Sequence, residues 1–248
     1  ECMGIRLFPL ARRAGSGVSA RIWFRVRAYQ ARKRGEGGIW PVSRDMDYQS
    51  YVRLQTEKTT DPERRALWLG PEWEMKIKLF QAYFEGLSAR FTEAWTYAKT
   101  RGSVSGTEAS ALCLGARTGQ EVQALRNIGW DAIGIDLVAS EPLVVAGDIH
   151  ELNFQDQEFS LTFSNVLDHA LFPDRMIGEM ERCTQAGGLI VLHLQIGNPT
   201  DRFGVTEISE AKAVVQLFMS SEILHSSAMP NLLSMNWEIV ARKLERSG

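Results

Sequence analysis

Several features that mark other classes of protein are missing from this 248-residue sequence. Its three cysteines have no paired spacing and form no C-x-x-C, which argues against a disulfide framework or a zinc site and fits a reducing compartment. No run of about 18 apolar residues is present, so the sequence predicts no membrane-spanning helix. With 44% hydrophobic residues, the chain can instead bury the core of one catalytic-size domain with an N-terminal extension.

Acidic residues are almost absent from the first 34 residues, which carry eight Arg and one Lys against a single Glu. Since the whole chain carries −2, the remaining residues sum to about −10. Residues 21–34 predict a basic amphipathic helix. Its apolar residues at helical spacing are Ile22, Trp23, Val26 and Tyr29.

We interpret residues 1–45 as a basic N-terminal arm that ends in a glycine-rich loop. The arm is expected to contact an anionic membrane surface or other subunits of a large organellar complex, and not to contribute to a cofactor site. A basic helix packed on its own domain is the alternative. Arg-rich, acid-poor N-termini are typical of organelle targeting, which favours a mitochondrial or plastid location over a cytoplasmic one.

Residues 46–108 predict a helical extension. Asp61 and Pro62 are a typical helix start, because Asp caps free amides and Pro is tolerated at the first helical position. A long amphipathic helix is expected from Pro71 to Lys99, because apolar residues recur there at steps of three and four. They are Trp73, Ile77, Phe80, Phe84, Leu87, Phe91 and Trp95. Such a stripe could line a substrate tunnel, but its helical spacing favours core packing.

Residues 109–248 alternate between strand and helix patterns, which predicts an α/β domain with a mostly parallel sheet. The first unit is ALCLGARTGQEV at 111–122, followed by DAIGIDLV at 131–138. Gly115 and Gly119 would let the backbone approach a ligand, and Asp136 lies where a carboxylate can accept hydrogen bonds from both ribose hydroxyls. The turn lacks the G-x-G-x-x-G of dinucleotide-binding proteins, which argues against NAD.

These segments resemble the class I S-adenosylmethionine-dependent methyltransferases, in particular a methyltransferase type 11-like group whose first motif reads G-A-R-x-G-x-E-V. The resemblance continues through the Gly147-Asp148 step, the turn after residues 158–164, and AGGLIVLHLQIG at 186–197. It implies a Rossmann-like fold with a seven-stranded, mostly parallel sheet and flanking helices, and S-adenosylmethionine as the cofactor. It is nearly silent on the substrate.

The resemblance also implies a set of cofactor-binding residues. Asp136 would hold the ribose, Asp148 the adenine amino group and Ile149 the adenine face, while Arg117 and Thr118 would contact the cofactor's carboxylate end. The full set is Gly115, Ala116, Arg117, Thr118, Gly119, Asp136, Leu137, Asp148, Ile149 and Asn165. The chain departs from the superfamily at Cys113, where an acid usually helps hold the methionine end. This is either a subfamily variant or erosion of the site.

Methyl transfer from a sulfonium mainly requires alignment, although a neutral acceptor needs a base for its proton. His169 and Asp168, after the fourth strand, are the candidates for that role, His169 as the base and Asp168 as its orienting group or a cation ligand. Capping or packing of the next helix is the alternative for both. We expect a small-molecule or protein acceptor and not nucleic acid, because the domain is acidic. A non-catalytic subunit with this fold, part of a larger organellar complex, is the second hypothesis.

Overall fold

A computed structural model describes residues 38–43, 45–104, 109–197 and 201–245, without the side chains of 101–104. The helices are α1 (Tyr48–Thr60), α2 (Pro62–Leu69), α3 (Trp73–Arg90), α4 (Thr92–Val104), α5 (Gln120–Asn127), α6 (Pro173–Cys183) and α7 (Ala211–Val215). The strands are β1 (Ile39–Pro41), β2 (Ser110–Leu114), β3 (Asp131–Asp136), β4 (Val144–Ala146), β5 (Phe159–Ser164), β6 (Thr184–Leu194), β7 (Thr206–Ile208), β8 (Ser221–Leu232) and β9 (Met235–Lys243). The predicted amphipathic helix at 21–34 lies outside the described residues.

The main sheet has seven strands in the order β4-β3-β2-β5-β6-β9-β8. The five strands from β4 to β6 are parallel, and β9 runs antiparallel to both β6 and β8. This confirms the predicted Rossmann-like architecture. The chain leaves β2 in the middle of the sheet and crosses to β3 on one side and later to β5 on the other, so the carboxyl ends of these three strands form one edge of the domain.

Successive residues of a strand face opposite sides of the sheet, so the sheet has two apolar faces. A layer of helices covers each face. In β2, Ala111 and Cys113 pack against the layer of α3, α4 and α5, and Leu112 and Leu114 pack against the layer of α6. All four side chains are fully or almost fully buried. Both layers together explain why the strands in the middle of the sheet read as continuous apolar runs.

The extension before the sheet is helical, as predicted. Asp47 caps α1 by accepting a hydrogen bond from the Ser50 amide at 2.7 Å, and Asp61 caps α2 by accepting from the Arg64 amide at 2.8 Å. The predicted helix from Pro71 to Lys99 is two helices, because the backbone leaves helical geometry at Phe91, where φ is −121° and ψ is 42°. The apolar stripe still packs on the sheet, with Phe84 edge-on to Phe163 at 5.2 Å between ring centroids.

A second, two-stranded sheet joins β1 to β7 in antiparallel register, from Ile39–Ile208 to Pro41–Thr206. The glycine-rich stretch at 35–45, interpreted from its composition as a loop, therefore contains a strand. Its side chains anchor it, because Ile39 and Trp40 are only 7% and 6% exposed. Within the described residues, no helix is both long and apolar enough to cross a bilayer.

Candidate cofactor site

Asp136 is the last residue of β3 and lies at the carboxyl edge of the sheet. Its Oδ2 accepts a hydrogen bond from the Arg117 amide at 3.1 Å, and its Oδ1 is 3.3 Å from the Val138 amide and 3.4 Å from the Thr59 hydroxyl. Burial raises the pKa of this carboxyl, and the two amides and the nearby Arg117 charge oppose that effect. The bonds hold the carboxylate in a fixed orientation with acceptor capacity left for a ligand.

Helix α1 covers this edge with polar side chains. Tyr51, Gln55, Lys58 and Thr59 lie on one face of the helix, each at most 9% exposed. Together with Gly115, Arg117, Asp136, Leu137, Ile149, Val166 and His169 they line a partly open pocket, which we call the α1 cavity. Asp136 and Ile149, predicted to hold the ribose and the adenine face, therefore share one cavity, and its outer wall comes from the helical extension.

Lys58 is one of the cavity residues that sequence reasoning missed, together with the rest of the α1 wall. Its Nζ is 2.7 Å from His169 Nε2 and 3.7 Å from an Asp201 carboxylate oxygen. Burial lowers the pKa of Lys58 to about 8, and the charge of Arg117 adds to the effect. A buried lysine with one hydrogen-bonded imidazole and one distant carboxylate is an uncommon arrangement outside functional sites.

His169 belongs to the short 3-10 turn Leu167–His169 that follows β5. Its Nδ1 lies 3.0 Å from the Phe203 carbonyl and donates to it, so Nε2 carries the lone pair and accepts from Lys58. Burial lowers the pKa of His169, and the Lys58 charge lowers it further. The Asp168 charge acts to raise it. His169 is thus held as a neutral imidazole whose lone pair is already engaged. Asp168 is buried, lies 3.5 Å from His169 Nε2, and does not line the cavity.

Asp148 does not lie on the wall of the α1 cavity, although it was predicted to bind the adenine amino group. Its Oδ1 accepts from the His150 amide at 2.9 Å and from His150 Nδ1 at 2.7 Å, and its Oδ2 accepts from the Tyr48 hydroxyl. His150 Nε2 in turn accepts from the Phe172 amide at 3.2 Å, which fixes its tautomer. Both Asp148 oxygens are therefore occupied by protein donors.

The shape and packing of the turn explain its two glycines, whereas the sequence predicted that they would let the backbone approach a ligand. Gly115 and Gly119 have φ of +72° and +87°, where an L side chain is strained. A Cβ on Gly115 would lie 2.3 Å from a Val166 methyl, and one on Gly119 would lie 2.7 Å from the Leu143 Cβ. The glycines permit the left-handed turn and its close packing on protein neighbours. Gly115 also lines the α1 cavity, whereas Gly119 lines neither cavity.

Arg117 lies between the α1 cavity and a second pocket, which we call the α3 cavity, and lines both. Its guanidinium lies 5.1 Å from the ring centroid of Trp68 in α2, so the side chain is drawn towards the helical extension. Gly115 and Asp136 both lie on the wall of the α1 cavity. The α3 cavity is lined by Trp68, Glu72, Met75, Lys76, Phe80, Ala116, Arg117, Thr118, Gln120, Glu121, Asn165, Leu233, Ser234 and Met235.

The α3 cavity brings together four of the predicted cofactor residues, Ala116, Arg117, Thr118 and Asn165. The Thr118 hydroxyl donates to Gln120 Oε1 at 2.9 Å, and Asn165 Oδ1 is buried without a hydrogen-bond partner. Glu121 also lines this cavity and was missed, although it stands in the G-A-R-x-G-x-E-V motif itself. Among the described residues, no group of three or more His, Cys, Asp or Glu side chains could hold a metal ion.

Comparison with known proteins agrees with this geometry. Residues 112–192 match the family model described as a methyltransferase domain. The fold is similar to that of 1,6-didemethyltoxoflavin-N1-methyltransferase from Burkholderia thailandensis, solved with 1,6-didemethyltoxoflavin and S-adenosylhomocysteine bound, at 15% identity and a TM-score of 0.57 over 84% of this chain and 95% of that one. It is also similar to a protein from Pyrococcus horikoshii OT3, at 14% identity and a TM-score of 0.51 over 79% of this chain and 100% of that one. The search of curated proteins gives no match.

At such identities the structural likeness establishes the fold, and the family match adds the kind of domain. Gly115, Asp136, Leu137 and Ile149 line one cavity, and Ala116, Thr118 and Asn165 line its neighbour; their role in binding the cofactor stays a prediction. The chain therefore has a Rossmann-like methyltransferase fold, and its residues 112–192 match the methyltransferase-domain family model.

Proposed function

We propose that this protein transfers a methyl group from S-adenosylmethionine to a small molecule. The observation that carries the proposal is the α1 cavity, whose wall includes both Gly115 and Asp136, with the Arg117 guanidinium placed against Trp68. A non-catalytic subunit with this fold would have no need of that space. Nothing in the described residues favours the non-catalytic alternative.

The two cavities suggest how the cofactor would be divided between them. The α1 cavity would take the adenosine, with Asp136 accepting hydrogen bonds from the ribose hydroxyls and Leu137 and Ile149 against the adenine. The α3 cavity would take the amino-acid end and the methyl acceptor. When bound, the cofactor supplies an activated methyl on a sulfonium, so the protein's own task is alignment.

The acceptor would enter through the α3 cavity, whose walls combine the apolar side chains of Trp68, Met75 and Phe80 with the charged Lys76 and Glu121. A pocket of this composition suits a small polar molecule with an apolar part. Nucleic acid is a poor candidate, because residues 35–248 sum to about −10 and nucleic-acid enzymes present a basic field.

The pair of Lys58 and His169 lines the α1 cavity and not the α3 cavity, so it would take a proton only from an acceptor that reaches into the α1 cavity. The His169 lone pair is engaged by Lys58 Nζ, so His169 accepts a proton only as a member of this pair. The pKa of Lys58, about 8, lies close enough to physiological pH for its amine to lose and regain a proton. Asp168 Oδ2 lies 3.5 Å from the His169 nitrogen that carries the lone pair, so it accepts no hydrogen bond from the neutral imidazole.

Calorimetry with S-adenosylhomocysteine tests the cofactor site. Asp136→Ala should weaken binding by about 10- to 100-fold, since a buried carboxylate contributes about 1.5–3 kcal/mol through its hydrogen bonds. Asp131→Ala is the matched control, because Asp131 is exposed at the other end of the same strand. Equal affinities for the two variants, or no binding by the wild type at millimolar ligand, would contradict the proposal. Methyl-labelled cofactor offered with small molecules, protein and RNA then identifies the acceptor class.

A further inference from the structure

Glu121 is a buried carboxylate that pairs with no cation among the described residues. It is the second residue of α5, is 5% exposed, and lines the α3 cavity. The carboxylate is near its own backbone amide, and the described residues place no other hydrogen-bond donor or ion-pair partner on it. A charge that is removed from water without a partner is costly, so such a group is retained where a ligand provides the partner.

The two cations of this cavity are engaged elsewhere. Lys76 Nζ forms an ion pair with Glu72 at 2.5 Å, and the Arg117 guanidinium lies over the Trp68 ring. Both influence Glu121 only through space, and neither is within ion-pair distance. The cavity therefore contains an acid whose positive partner does not come from the described chain.

Asn165 provides a second, independent sign of a missing donor. It is the first residue after β5, is 8% exposed, and also lines the α3 cavity. Its Oδ1 is buried and has no hydrogen-bond partner. Unpaired buried acceptors are rare and indicate an unplaced water, ion or ligand. Glu121 and Asn165 thus line the same cavity, and the described residues supply no cation to the first and no donor to the Oδ1 of the second.

We propose that Glu121 and Asn165 bind the ammonium group at the amino-acid end of S-adenosylmethionine. An ammonium fits two acceptors of this kind, because it carries one positive charge and three N–H donors. Glu121 would then supply the acid that is missing at Cys113, from the helix instead of the strand. This inference rests on the proposed function, since it assigns one end of the same cofactor.

The assignment predicts that cofactor affinity rises with pH in a way that depends on Glu121. Burial raises the pKa of Glu121 to about 7 in the free protein, whereas an ammonium binds the charged carboxylate. Below about pH 7, the affinity of the wild type should therefore fall by up to about tenfold for each pH unit. The variant Glu121→Gln should lack this dependence, because its amide does not titrate.

Calorimetry with two ligands tests the proposal without relying on catalysis. S-adenosylhomocysteine carries the ammonium, and 5′-methylthioadenosine has the same adenosine but no amino-acid end. Glu121→Gln and Asn165→Ala should each weaken S-adenosylhomocysteine binding, by about 10- to 100-fold and about 3- to 10-fold respectively. Binding of methylthioadenosine should stay within about twofold of the wild type and shows that the variants are folded. Glu74→Gln, an equal charge change on the exposed face of α3, is the control.

Each outcome supports or overturns the assignment of Glu121 and Asn165 to the ammonium group. Selective loss of S-adenosylhomocysteine binding, with loss of its pH dependence in Glu121→Gln, supports the assignment. Undiminished binding of S-adenosylhomocysteine by both variants, or equal losses for the two ligands, overturns it while leaving the cofactor proposal in place. If the wild type binds neither ligand, the proposed function fails and this assignment fails with it.

Discussion

Replacing the buried carboxylate of Glu121 should stabilise the ligand-free protein. Burial raises the pKa of Glu121 from 4.5 to about 7, against the opposing effects of its own amide, Arg117 and Lys76. Since one pKa unit corresponds to about 1.4 kcal/mol, keeping this carboxylate charged inside the fold costs on the order of 3 kcal/mol. Glu121→Gln keeps the shape of the side chain and removes that cost.

The size of the effect depends on pH. The pKa of Glu121 is higher in the folded than in the unfolded chain, so the folded state binds the proton more tightly. The stability that this proton provides is fully present below about pH 4.5 and is lost as the pH rises through about 7. Wild type and Glu121→Gln should therefore have similar stability near pH 5, and the variant should be more stable at pH 8 by about 2–3 kcal/mol.

Urea unfolding at both pH values, followed by circular dichroism without ligand, measures this difference. Glu238 provides the matched contrast, because its carboxylate is also buried but accepts from Arg90 at 2.6 and 2.9 Å and from the Tyr83 hydroxyl at 2.5 Å. Burial acts to raise the pKa of Glu238, but these donors leave it lowered. Glu238→Gln should thus destabilise the protein at pH 8 by about 1–3 kcal/mol. The reasoning would be refuted if Glu121→Gln were less stable than the wild type at pH 8. It would also be refuted if their difference in free energy of unfolding were the same at both pH values.

Two further predictions concern the helical extension and the basic arm. Lys58→Met should raise the pKa of His169, because the Lys58 charge lowers that pKa, and NMR titration of the imidazole measures the change. The control Lys78→Met, on an exposed part of α3, should leave the pKa of His169 unchanged. Removing residues 1–37 should preserve thermal stability and S-adenosylhomocysteine affinity while weakening salt-sensitive binding to anionic vesicles, and a loss of folding would show that the arm belongs to the domain core. The cut ends before Ile39–Pro41 because that strand is paired with β7.

Much of the sheet could be predicted because its strands follow simple patterns. The run of small and apolar residues at 110–114 predicted a buried strand, and the structure places β2 there at the centre of the sheet. The left-handed turn at Gly115 and the acid at the end of β3 were likewise readable from the first motif. These features are local, so neighbouring residues determine them.

The wall formed by α1 could not be read from apolar spacing. The buried face of α1 consists of Tyr51, Gln55, Lys58 and Thr59, which repeat at helical intervals but are mostly polar. A search for apolar periodicity passes over such a face, because polar residues at helical spacing are usually solvated. Their burial depends on contacts distant in sequence, such as the bond from Gln55 to the Phe203 carbonyl at 2.7 Å. The strand Ile39–Pro41 was missed for the same reason, since its partner lies at 206–208.

The position of Glu121 offers an explanation for Cys113, which stands where the methyltransferase resemblance implies an acid. Cys113 is fully buried and points into the layer of α3, α4 and α5, where it packs with apolar side chains. Glu121 acts electrostatically on Cys113, so the two side chains are near each other across the junction of β2 and α5. In the first turn of α5 a carboxylate gains from the helix dipole, which the strand position lacks. On the proposed assignment, the acid comes from the helix instead of the strand, and the cost of about 3 kcal/mol in the free protein is offset when an ammonium pairs with it.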